Sequence, residues 1–315
     1  MNKILVIGAA GQIGSELTMA LREHFGASNV FATDIRNAPS DVMDSGPFQI
    51  LDVMDEKKLI DYVLNNKIDQ IYHLAAILSG NAEKVPLKSW EINMTSLLSI
   101  LNLSRDAGIK KLFWPSSIAV FGPSTPRLNT PQVTVTEPTT VYGISKLAGE
   151  RWCEYYFKRY GLDVRSIRYP GLISYKTEAG GGTTDYAVEI FYEAIKHKKY
   201  ACFLSEDTTL PMMFMCDAIR GTIDLMEAES DKITIRSSYN MSAISFNPKE
   251  ISDVIKKHIP GFTISYHPDF RQQIADSWPQ TIDDSAARND WNWKHDYNLN
   301  AMTEVMLREI GKKLL

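Results

Sequence analysis

Short apolar runs alternate with longer amphipathic stretches along the first 170 residues. The apolar runs predict buried strands over 3–7, 30–33, 48–51, 70–74, 111–115 and 163–168. The stretches between them predict helices up to about residue 25 and over 55–66, 89–107 and 142–160. Such β–α alternation predicts an α/β fold with a doubly wound parallel sheet, whose ligand lies at the carboxyl ends of the strands.

The alternation loosens beyond residue 170, which suggests a second region. We expect a first domain over 1–170 and a smaller, interleaved lobe over 171–315 that binds substrate and sends segments back to the first domain. The Pro- and Thr-rich residues 121–141 predict a loop over the site, and the glycines at 180–182 predict a hinge that leads into a helix.

Composition narrows the class of protein. Of the 315 residues, 44% are hydrophobic and 23% charged, as in ordinary globular proteins, and a net charge of −4 argues against nucleic-acid binding. The first apolar run is too short for a signal peptide or a membrane span, so we expect a cytoplasmic protein that does not bind membranes. The three cysteines are widely spaced, and no metal-ligand cluster occurs, so we expect reduced thiols and no metal.

A glycine-rich turn follows the first strand. Gly8, Gly11 and Gly14 would let backbone amides approach a pyrophosphate at the start of a helix. Asp34 ends the second strand, where a carboxylate accepts from a ribose 2′-hydroxyl and repels a 2′-phosphate. NAD is therefore the expected cofactor. Arg36 keeps NADP open, and Asp34 could instead be a solvated turn residue.

Tyr142 and Lys146 lie four residues apart on a predicted helix and therefore share one face. Beside a nicotinamide, the Lys146 ammonium would lower the pKa of Tyr142, which could then act as a base in alcohol oxidation. His73, in the fourth strand, is interpreted as a packed core histidine. Asn93 is either a buried polar contact or a helix-surface amide.

Together with these motifs, the stretch Ser116–Gly122 resembles a segment of the extended short-chain dehydrogenase/reductase family, with Phe121 in place of its usual tyrosine. The resemblance covers nearly the whole chain. It implies a Rossmann-type fold, NAD as the cofactor and Ser117 as the catalytic serine. Ser117 would hydrogen-bond the substrate oxygen while Tyr142 takes its proton and Lys146 also binds the nicotinamide ribose.

Within that family the chain is similar to the zinc-independent L-threonine 3-dehydrogenases. The stretches that carry this likeness are Gly180–Ala187, Tyr200–Leu204, Leu210–Met215 and Asp283–Arg288. The likeness implies NAD-dependent oxidation of L-threonine to 2-amino-3-ketobutyrate, and a homodimer formed by the helices near 89–107 and 142–160.

The expected site residues form two sets. The cofactor is expected to contact Gly8, Gly11, Gln12, Ile13, Gly14, Asp34, Asp52, Val53, Leu74, Ala75, Ala76, Asn93, Tyr142 and Lys146. By resemblance, the substrate is expected to contact Ser79, Ser117, Tyr142, Thr184 and Asp185. Thr184 and Asp185 could instead simply cap a helix.

Two other functions stay open. A sugar-nucleotide epimerase or dehydratase would share the scaffold but needs cations for a diphosphate, and residues 210–215 are apolar. That argument is modest, because methionine and aromatic runs are usual in cores, and Arg271 and Arg288 remain available elsewhere. An NAD-sensing binding protein would have no need of the Ser/Tyr/Lys set.

Overall fold

The computed structural model describes residues 2–177, 180 and 182–314, and the chain divides into two compact units. Unit 1 contains the chain up to Ser117, Thr140–Arg168 and Ile219–Tyr239. Unit 2 contains Ile118–Thr139, Tyr169–Ala218 and the chain from Asn240 onward. The chain thus enters unit 2 first at Ile118, again at Tyr169 and finally at Asn240, and substrate binding by the region 171–315 stays a prediction.

The elements are numbered in chain order. The strands are β1 Ile4–Ile7, β2 Val30–Asp34, β3 Phe48–Ile50, β4 Gln70–His73, β5 Lys111–Phe113, β6 Ser116–Ser117, β7 Val164–Arg165, β8 Ile167–Tyr169, β9 Gly171–Ile173, β10 Lys199–Cys202, β11 Leu210–Phe214, β12 Tyr239–Asn240, β13 Ile244–Phe246 and β14 Thr263–Tyr266. The α-helices are α1 Gln12–Phe25, α2 Ser40–Asp44, α3 Glu56–Asn66, α4 Ser79–Ala82, α5 Pro86–Asp106, α6 Val141–Tyr160, α7 Tyr186–His197, α8 Met215–Glu227, α9 Pro248–His258, α10 Arg271–Asp276, α11 Ser285–Trp291 and α12 Leu299–Leu314.

Unit 1 is built on a parallel sheet with the strand order β3-β2-β1-β4-β5-β7. Ile4 of β1 pairs with Val30 of β2 on one side and with Gln70 of β4 on the other. Strands β2 and β3 are thus added on one side of β1, and the later strands are added on its other side. This change of side creates the crevice in which doubly wound sheets bind ligands. The predicted fold class is confirmed.

The main core of unit 1 lies between this sheet and its helices. β1 is buried along its whole length, as expected of a strand covered on both faces. The large side chains of the core include Leu5, Ile7, Phe31, Ile71, Met94, Leu97, Ile100, Leu101, Leu112, Trp114 and Tyr156. Helices α5 and α6 pack against each other over this core. The apolar positions that predict the strands are therefore the ones that hold the unit together.

The predicted strand over 163–168 is wrong in one respect, because it splits at Ser166. Val164–Arg165 joins the central sheet as β7, whereas Ile167–Tyr169 belongs to a short sheet with the order β12-β8-β6. The carbonyl of Ser166 accepts a hydrogen bond from the amide of Tyr239 at 2.9 Å. This bond diverts the chain, and nothing in the local apolar pattern signals it.

The remaining differences concern short elements and element ends. Helix α5 begins at Pro86, three residues before the predicted start, because proline fits the first turn of a helix. Helices α2 and α4 are too short for periodicity to reveal them. The predicted loop over 121–141 has no strand or α-helix before Val141, and up to Thr139 it belongs to unit 2.

The described residues of unit 2 form two small sheets, β13-β11-β9 and the parallel pair β10-β14. Helix α7 packs against both α9 and α12. Every residue of β11 is buried, so the methionine-rich run Leu210–Phe214 is core, as its composition suggested. Within the described residues of both units, no helix is long and apolar enough to cross a membrane.

Candidate active site

The glycine-rich turn of unit 1 is a place where backbones approach too closely for side chains. Gly8 has a φ of +90°, and a Cβ there would lie 2.7 Å from the amide nitrogen of Ala75. A Cβ on Gly14 would overlap the carbonyl oxygen of Gly8. Gly11 stands at the N-cap of α1, and its amide donates to Gly8. Glycine is therefore required at Gly8 and Gly14 by this turn.

The first turn of α1 can bind an anion. The amides of Gln12 and Ile13 have no carbonyl partner within the helix, because they precede its first hydrogen-bonded turn. No acidic residue occurs in this turn to compete for them. A pyrophosphate fits such a helix start, where the helix dipole also favours negative charge.

Asp34 ends β2 beside this turn and braces it. Its Oδ2 accepts from the amide of Ala10 at 2.9 Å, and its Oδ1 accepts from the amide of Arg36 at 3.2 Å. The Arg36 guanidinium donates to the carbonyl of Ala10 at 3.4 Å. Asp34 is thus more than a solvated turn residue, and the position agrees with a role at the ribose of NAD.

The other predicted cofactor positions follow the neighbouring strands. Asp52 and Val53 come after β3, and Leu74–Ala76 come directly after β4. Because β1 to β4 are parallel neighbours, these segments meet at the same edge of the sheet as the glycine turn. The amide of Leu74 donates to the carbonyl of Ile7 at 2.8 Å, which continues the pairing of β4 with β1.

Asn93 and His73 are both buried in unit 1. The side-chain oxygen of Asn93 accepts from the amide of Ile77 at 2.8 Å, and its nitrogen donates to the carbonyl of Ile77 at 3.1 Å. Asn93 is therefore the buried polar contact, holding the segment after β4, and direct contact with the cofactor stays a prediction. His73 lies 3.2 Å from Ser96, and burial lowers its pKa to about 3, as expected of a neutral core histidine.

Helix α6 presents the predicted catalytic pair. Thr140 caps the helix by accepting from the amide of Gly143 at 3.1 Å, which places Tyr142 in the first turn and Lys146 one turn later. The Lys146 ammonium donates to the carbonyl of Pro115 at 2.6 Å and lies 5.5 Å from the centroid of the Tyr142 ring. The two side chains share one face, as their spacing predicts.

Ser117 completes the set from the end of β6. Its side chain is hydrogen-bonded to that of Tyr142: burial raises the pKa of Tyr142, and the hydrogen bond with Ser117 offsets part of that rise. The structure thus brings Ser117, Tyr142 and Lys146 together within unit 1. A substrate hydroxyl placed beside the two oxygens could be polarised by one and lose its proton to the other.

Burial opposes both charges that the catalytic pair needs. It raises the pKa of Tyr142 to about 12 and lowers the pKa of Lys146 to about 7. The expectation that Lys146 lowers the pKa of Tyr142 stays a prediction, and it depends on the 5.5 Å distance between the Lys146 ammonium and the centroid of the Tyr142 ring. A cationic nicotinamide ring beside Tyr142 would favour the phenolate.

The predicted substrate residues lie in both units. Ser79 begins α4 in unit 1 and is partly exposed. In unit 2, Asp185 is the N-cap residue of α7, but its side chain makes no capping bond, and its Oδ2 accepts from the amide of Gly182 at 2.7 Å. The side chain of Thr184 packs against Gly171. Capping by the Asp185 side chain is thus not observed.

The predicted hinge over 180–182 cannot be followed completely, because its middle glycine, Gly181, lies outside the described residues. The substrate roles of Ser79, Thr184 and Asp185 stay predictions.

Four further side chains and one glycine support the catalytic set and were missed at the sequence level: Trp114, Thr140, Gly149, Glu150 and Arg168. A signal existed for two of them. Thr140 precedes a helix start, and Glu150 lies eight residues after Tyr142, on the same helix face. The ring of Trp114 lies 4.3 Å from the Lys146 ammonium, a contact that no local pattern reveals.

A metal site has no support in the part of the chain that the structure describes. No group of three or more His, Cys, Asp or Glu side chains there could hold a metal ion. The three cysteines are free thiols. Metal-independent activity stays a prediction.

Comparison with known proteins identifies the family. Residues 4–241 match the NAD dependent epimerase/dehydratase family. The chain belongs to this family. Its cofactor is accordingly NAD, and the glycine turn and Asp34 are the features of unit 1 that fit it.

Relatives of known sequence or structure span the whole chain. An uncharacterised epimerase/dehydratase of Staphylococcus haemolyticus is 49% identical and covers 99% of both chains. The holo form of an L-threonine dehydrogenase from Cupriavidus necator is 54% identical, with a TM-score of 0.95 over 98% of this chain and 99% of that one. An L-threonine dehydrogenase from Clostridium difficile is 47% identical, with a TM-score of 0.97 over 99% of this chain and 98% of that one. This family member is therefore an extended short-chain dehydrogenase/reductase.

We predict that Asp34 selects NAD over NADP. A carboxylate facing a 2′-phosphate costs several kcal/mol, so NAD should be preferred by about 10²-fold or more. Asp34→Asn keeps an acceptor for the Ala10 amide but removes the charge, and should narrow the preference without loosening the turn. Asp34→Gly removes both the acceptor and the charge, so it should narrow the preference for NAD and also loosen the turn. Titration of each variant with the two cofactors, followed by tryptophan fluorescence, checks this. Equal affinity of the unmodified protein for both cofactors would contradict the role.

Proposed function

We propose that this family member oxidises the 3-hydroxyl of L-threonine with NAD, giving 2-amino-3-ketobutyrate and NADH. The observation that carries the proposal is the hydrogen-bonded pair of Ser117 and Tyr142 with Lys146 one helical turn away. The similarity to L-threonine dehydrogenases of known structure, at 47–54% identity over nearly the whole chain, supports the substrate.

The chain's residues divide the reaction between them. Ser117 donates a hydrogen bond to the oxygen of the substrate, and the phenolate of Tyr142 takes the hydroxyl proton. The hydrogen on C3 leaves as hydride, for which NAD supplies the acceptor. Lys146 compensates the charge on Tyr142, from a position fixed by the carbonyl of Pro115.

The charges of unit 2 favour a small substrate over a nucleotide sugar. A diphosphate needs cations, and two arginines of unit 2 are already paired. Arg271 donates to Asp269 at 2.7 Å and stacks on Phe203, and Arg288 donates to Asp284 at 2.7 Å. The apolar run over 210–214 carries no weight in this choice, because it is buried core.

We predict that Tyr142→Phe lowers turnover by about 10² or more, because the reaction loses its positioned base. The affinity for NAD should change little. In the unmodified protein, turnover should rise as the pH rises, because burial raises the pKa of Tyr142 and the base is its deprotonated form. Steady-state rates of NADH formation between pH 6 and 10 check both statements. Near-normal turnover of the Phe variant would remove Tyr142 from the mechanism.

We predict a substrate order set by charge recognition. L-Serine, which lacks one methyl group, should be oxidised about 10- to 100-fold less efficiently than L-threonine. 3-Hydroxybutyrate lacks the amino group, and its kcat/KM should be lower by about 10⁴-fold. NADH formation with each compound at equal concentration measures the order. Turnover of a nucleotide sugar, with none of threonine, would replace this proposal by the epimerase or dehydratase alternative. NAD binding without turnover of any substrate would favour the sensor.

The same assay tests the substrate roles in unit 2. Asp185→Asn keeps an acceptor for the Gly182 amide but removes the charge that would hold an ammonium group, so KM for L-threonine should rise while NAD affinity holds. Thr184→Ala should also weaken threonine turnover. Asp253→Asn, at an exposed pair with Lys256, is the matched control and should change neither quantity. An unchanged KM in Asp185→Asn would exclude its carboxylate from substrate binding.

We also predict a homodimer formed by α5 and α6. These packed helices expose Leu87, Trp90, Trp152 and Tyr155, of which Leu87 is 84% exposed. Large exposed apolar side chains on two packed helices favour a protein interface there. Light scattering should give about twice the chain mass of 35.6 kDa, and Trp152→Glu should reduce it to one chain. A single-chain mass for the unmodified protein would overturn this arrangement.

A further inference from the structure

Glu150 is a fully buried carboxylate beside the catalytic set. It lies on α6, four residues after Lys146 and eight after Tyr142, so the three side chains share one helix face. Its side chain is 0% exposed. A charge buried to this extent is costly unless it is paired, so its partners indicate what it does.

The partners of Glu150 come from two strands. Arg168 of β8 binds it through two parallel hydrogen bonds, from Nε to Oε1 at 2.8 Å and from Nη2 to Oε2 at 2.7 Å. Ser116 of β6 donates its hydroxyl to Oε1 at 2.6 Å. One carboxylate therefore joins α6 to both strands, and the residue after Ser116 is the catalytic serine, Ser117.

The segment 114–117 meets α6 in a fixed register. Ser117 is bonded to Tyr142 at one end, and the carbonyl of Pro115 receives the Lys146 ammonium in the middle. At the other end the ring of Trp114 lies against Gly149. Ser116, which bonds Glu150, lies in the chain between Pro115 and Ser117. A shift of Ser116 would therefore move both the Pro115 contact with Lys146 and the Ser117 contact with Tyr142.

We propose that Glu150 is a positioning residue, which holds Ser117 and Lys146 in register with Tyr142 through its bonds to Ser116 and Arg168. The proposal rests on the proposed dehydrogenase function. It assigns to Glu150 no contact with the substrate or the cofactor.

Glu150 also acts on the charge of Lys146. Burial lowers the pKa of Lys146, whereas Cys153 and Glu150 on the same helix raise it. His73 faces Lys146 from β4 and is neutral, since its pKa is lowered to about 3. Removal of the Glu150 charge would therefore favour a neutral Lys146 and, through it, a protonated Tyr142.

The groups that face Glu150 itself are Arg168, at 2.7 Å, and Arg151, whose Nη2 lies 4.0 Å from Oε2. Both are cations, so they reduce the effect of Glu150 on Lys146 without reversing it. We therefore expect removal of the Glu150 charge to lower the pKa of Lys146 moderately.

Three variants separate the positioning role of Glu150 from the effect of its charge on Lys146. Ser116→Ala removes one bond and leaves the ion pair, and Glu150→Asp keeps the charge but shortens its reach. Both should lower kcat for L-threonine about tenfold, the loss expected for a hydrogen bond to a charged group, with unchanged NAD affinity and an unchanged pH profile. Glu150→Gln removes the charge and should also move the rising limb of kcat/KM upward by about one pH unit.

The titration of Lys146 can be read without a substrate. In protein labelled with ¹³C-lysine, the Cε signal that disappears in Lys146→Met identifies this side chain, and its chemical shift against pH gives its pKa. We expect a lower pKa in Glu150→Gln than in the unmodified protein, and no change in Ser116→Ala. An unchanged pKa in Glu150→Gln would overturn the effect of charge.

Asp163→Asn is the matched control. The Asp163 carboxylate accepts two hydrogen bonds from the buried guanidinium of Arg165, at 3.0 and 2.8 Å, and one from Arg236 at 2.6 Å, and none of these three side-chain bonds involves Ser117, Tyr142 or Lys146. Its loss should lower Tm about as much as Glu150→Gln does, but should leave the Lys146 titration and the pH profile unchanged. If Ser116→Ala, Glu150→Asp, Glu150→Gln and Asp163→Asn all lower Tm but leave kcat unchanged, Glu150 contributes only to stability and the proposal is wrong.

The two proposals fail in different ways. Absence of threonine oxidation by the unmodified protein would remove the proposed function, yet the Lys146 titration would still report whether Glu150 controls that charge. Normal threonine oxidation with unchanged kcat in Ser116→Ala and Glu150→Asp would remove the positioning role alone.

Discussion

The contact between helix α6 and the segment 114–117 is the constraint on which the rest of the catalytic set depends. A Cβ at Gly149 would overlap the indole of Trp114, so glycine is what allows the segment to approach the helix this closely. The approach brings the Lys146 ammonium to the carbonyl of Pro115 and the Ser117 hydroxyl to Tyr142. The catalytic geometry is therefore a consequence of backbone packing, and the packing is itself part of the core of unit 1.

Close packing has an electrostatic cost in this site. Burial raises the pKa of Tyr142 and lowers that of Lys146, so it disfavours the phenolate–ammonium pair that the proposed alcohol oxidation requires. Fixed groups offset this effect: the Pro115 carbonyl solvates the ammonium, the Trp114 ring faces it, and the Ser117 hydroxyl stabilises the phenolate. An oxidised nicotinamide bound beside Tyr142 would also favour the phenolate, because the ring carries a positive charge.

Family membership and substrate rest on different kinds of observation. The glycine turn, Asp34 and the sheet order are properties of unit 1, and they agree with the NAD-dependent family that the chain matches over residues 4–241. The proposal about the substrate draws on unit 2, where the methionine-rich run is core and Arg271 and Arg288 are paired with carboxylates. These pairings favour the proposed small substrate over a diphosphate, because both arginines already bind carboxylates.

The sequence by itself determined the sheet, the cofactor edge and the Tyr142–Lys146 pair, because periodicity and i,i+4 spacing act within a few residues. It could not show that the strand over 163–168 breaks at Ser166 or that the Asn93 side chain binds the backbone of Ile77. Nor could it show that the Asp185 side chain accepts from the amide of Gly182 and makes no capping bond to α7. The spacing of Glu150 from Tyr142 and Lys146 indicated the helix face that the three share, but it could not indicate which groups pair with Glu150. Its partners lie 34 and 18 residues away in the chain, and only the packing of α6 on two strands brings them within 3 Å. The tertiary structure alone decided which buried charges are paired, because pairing depends on distances between segments that no local pattern encodes.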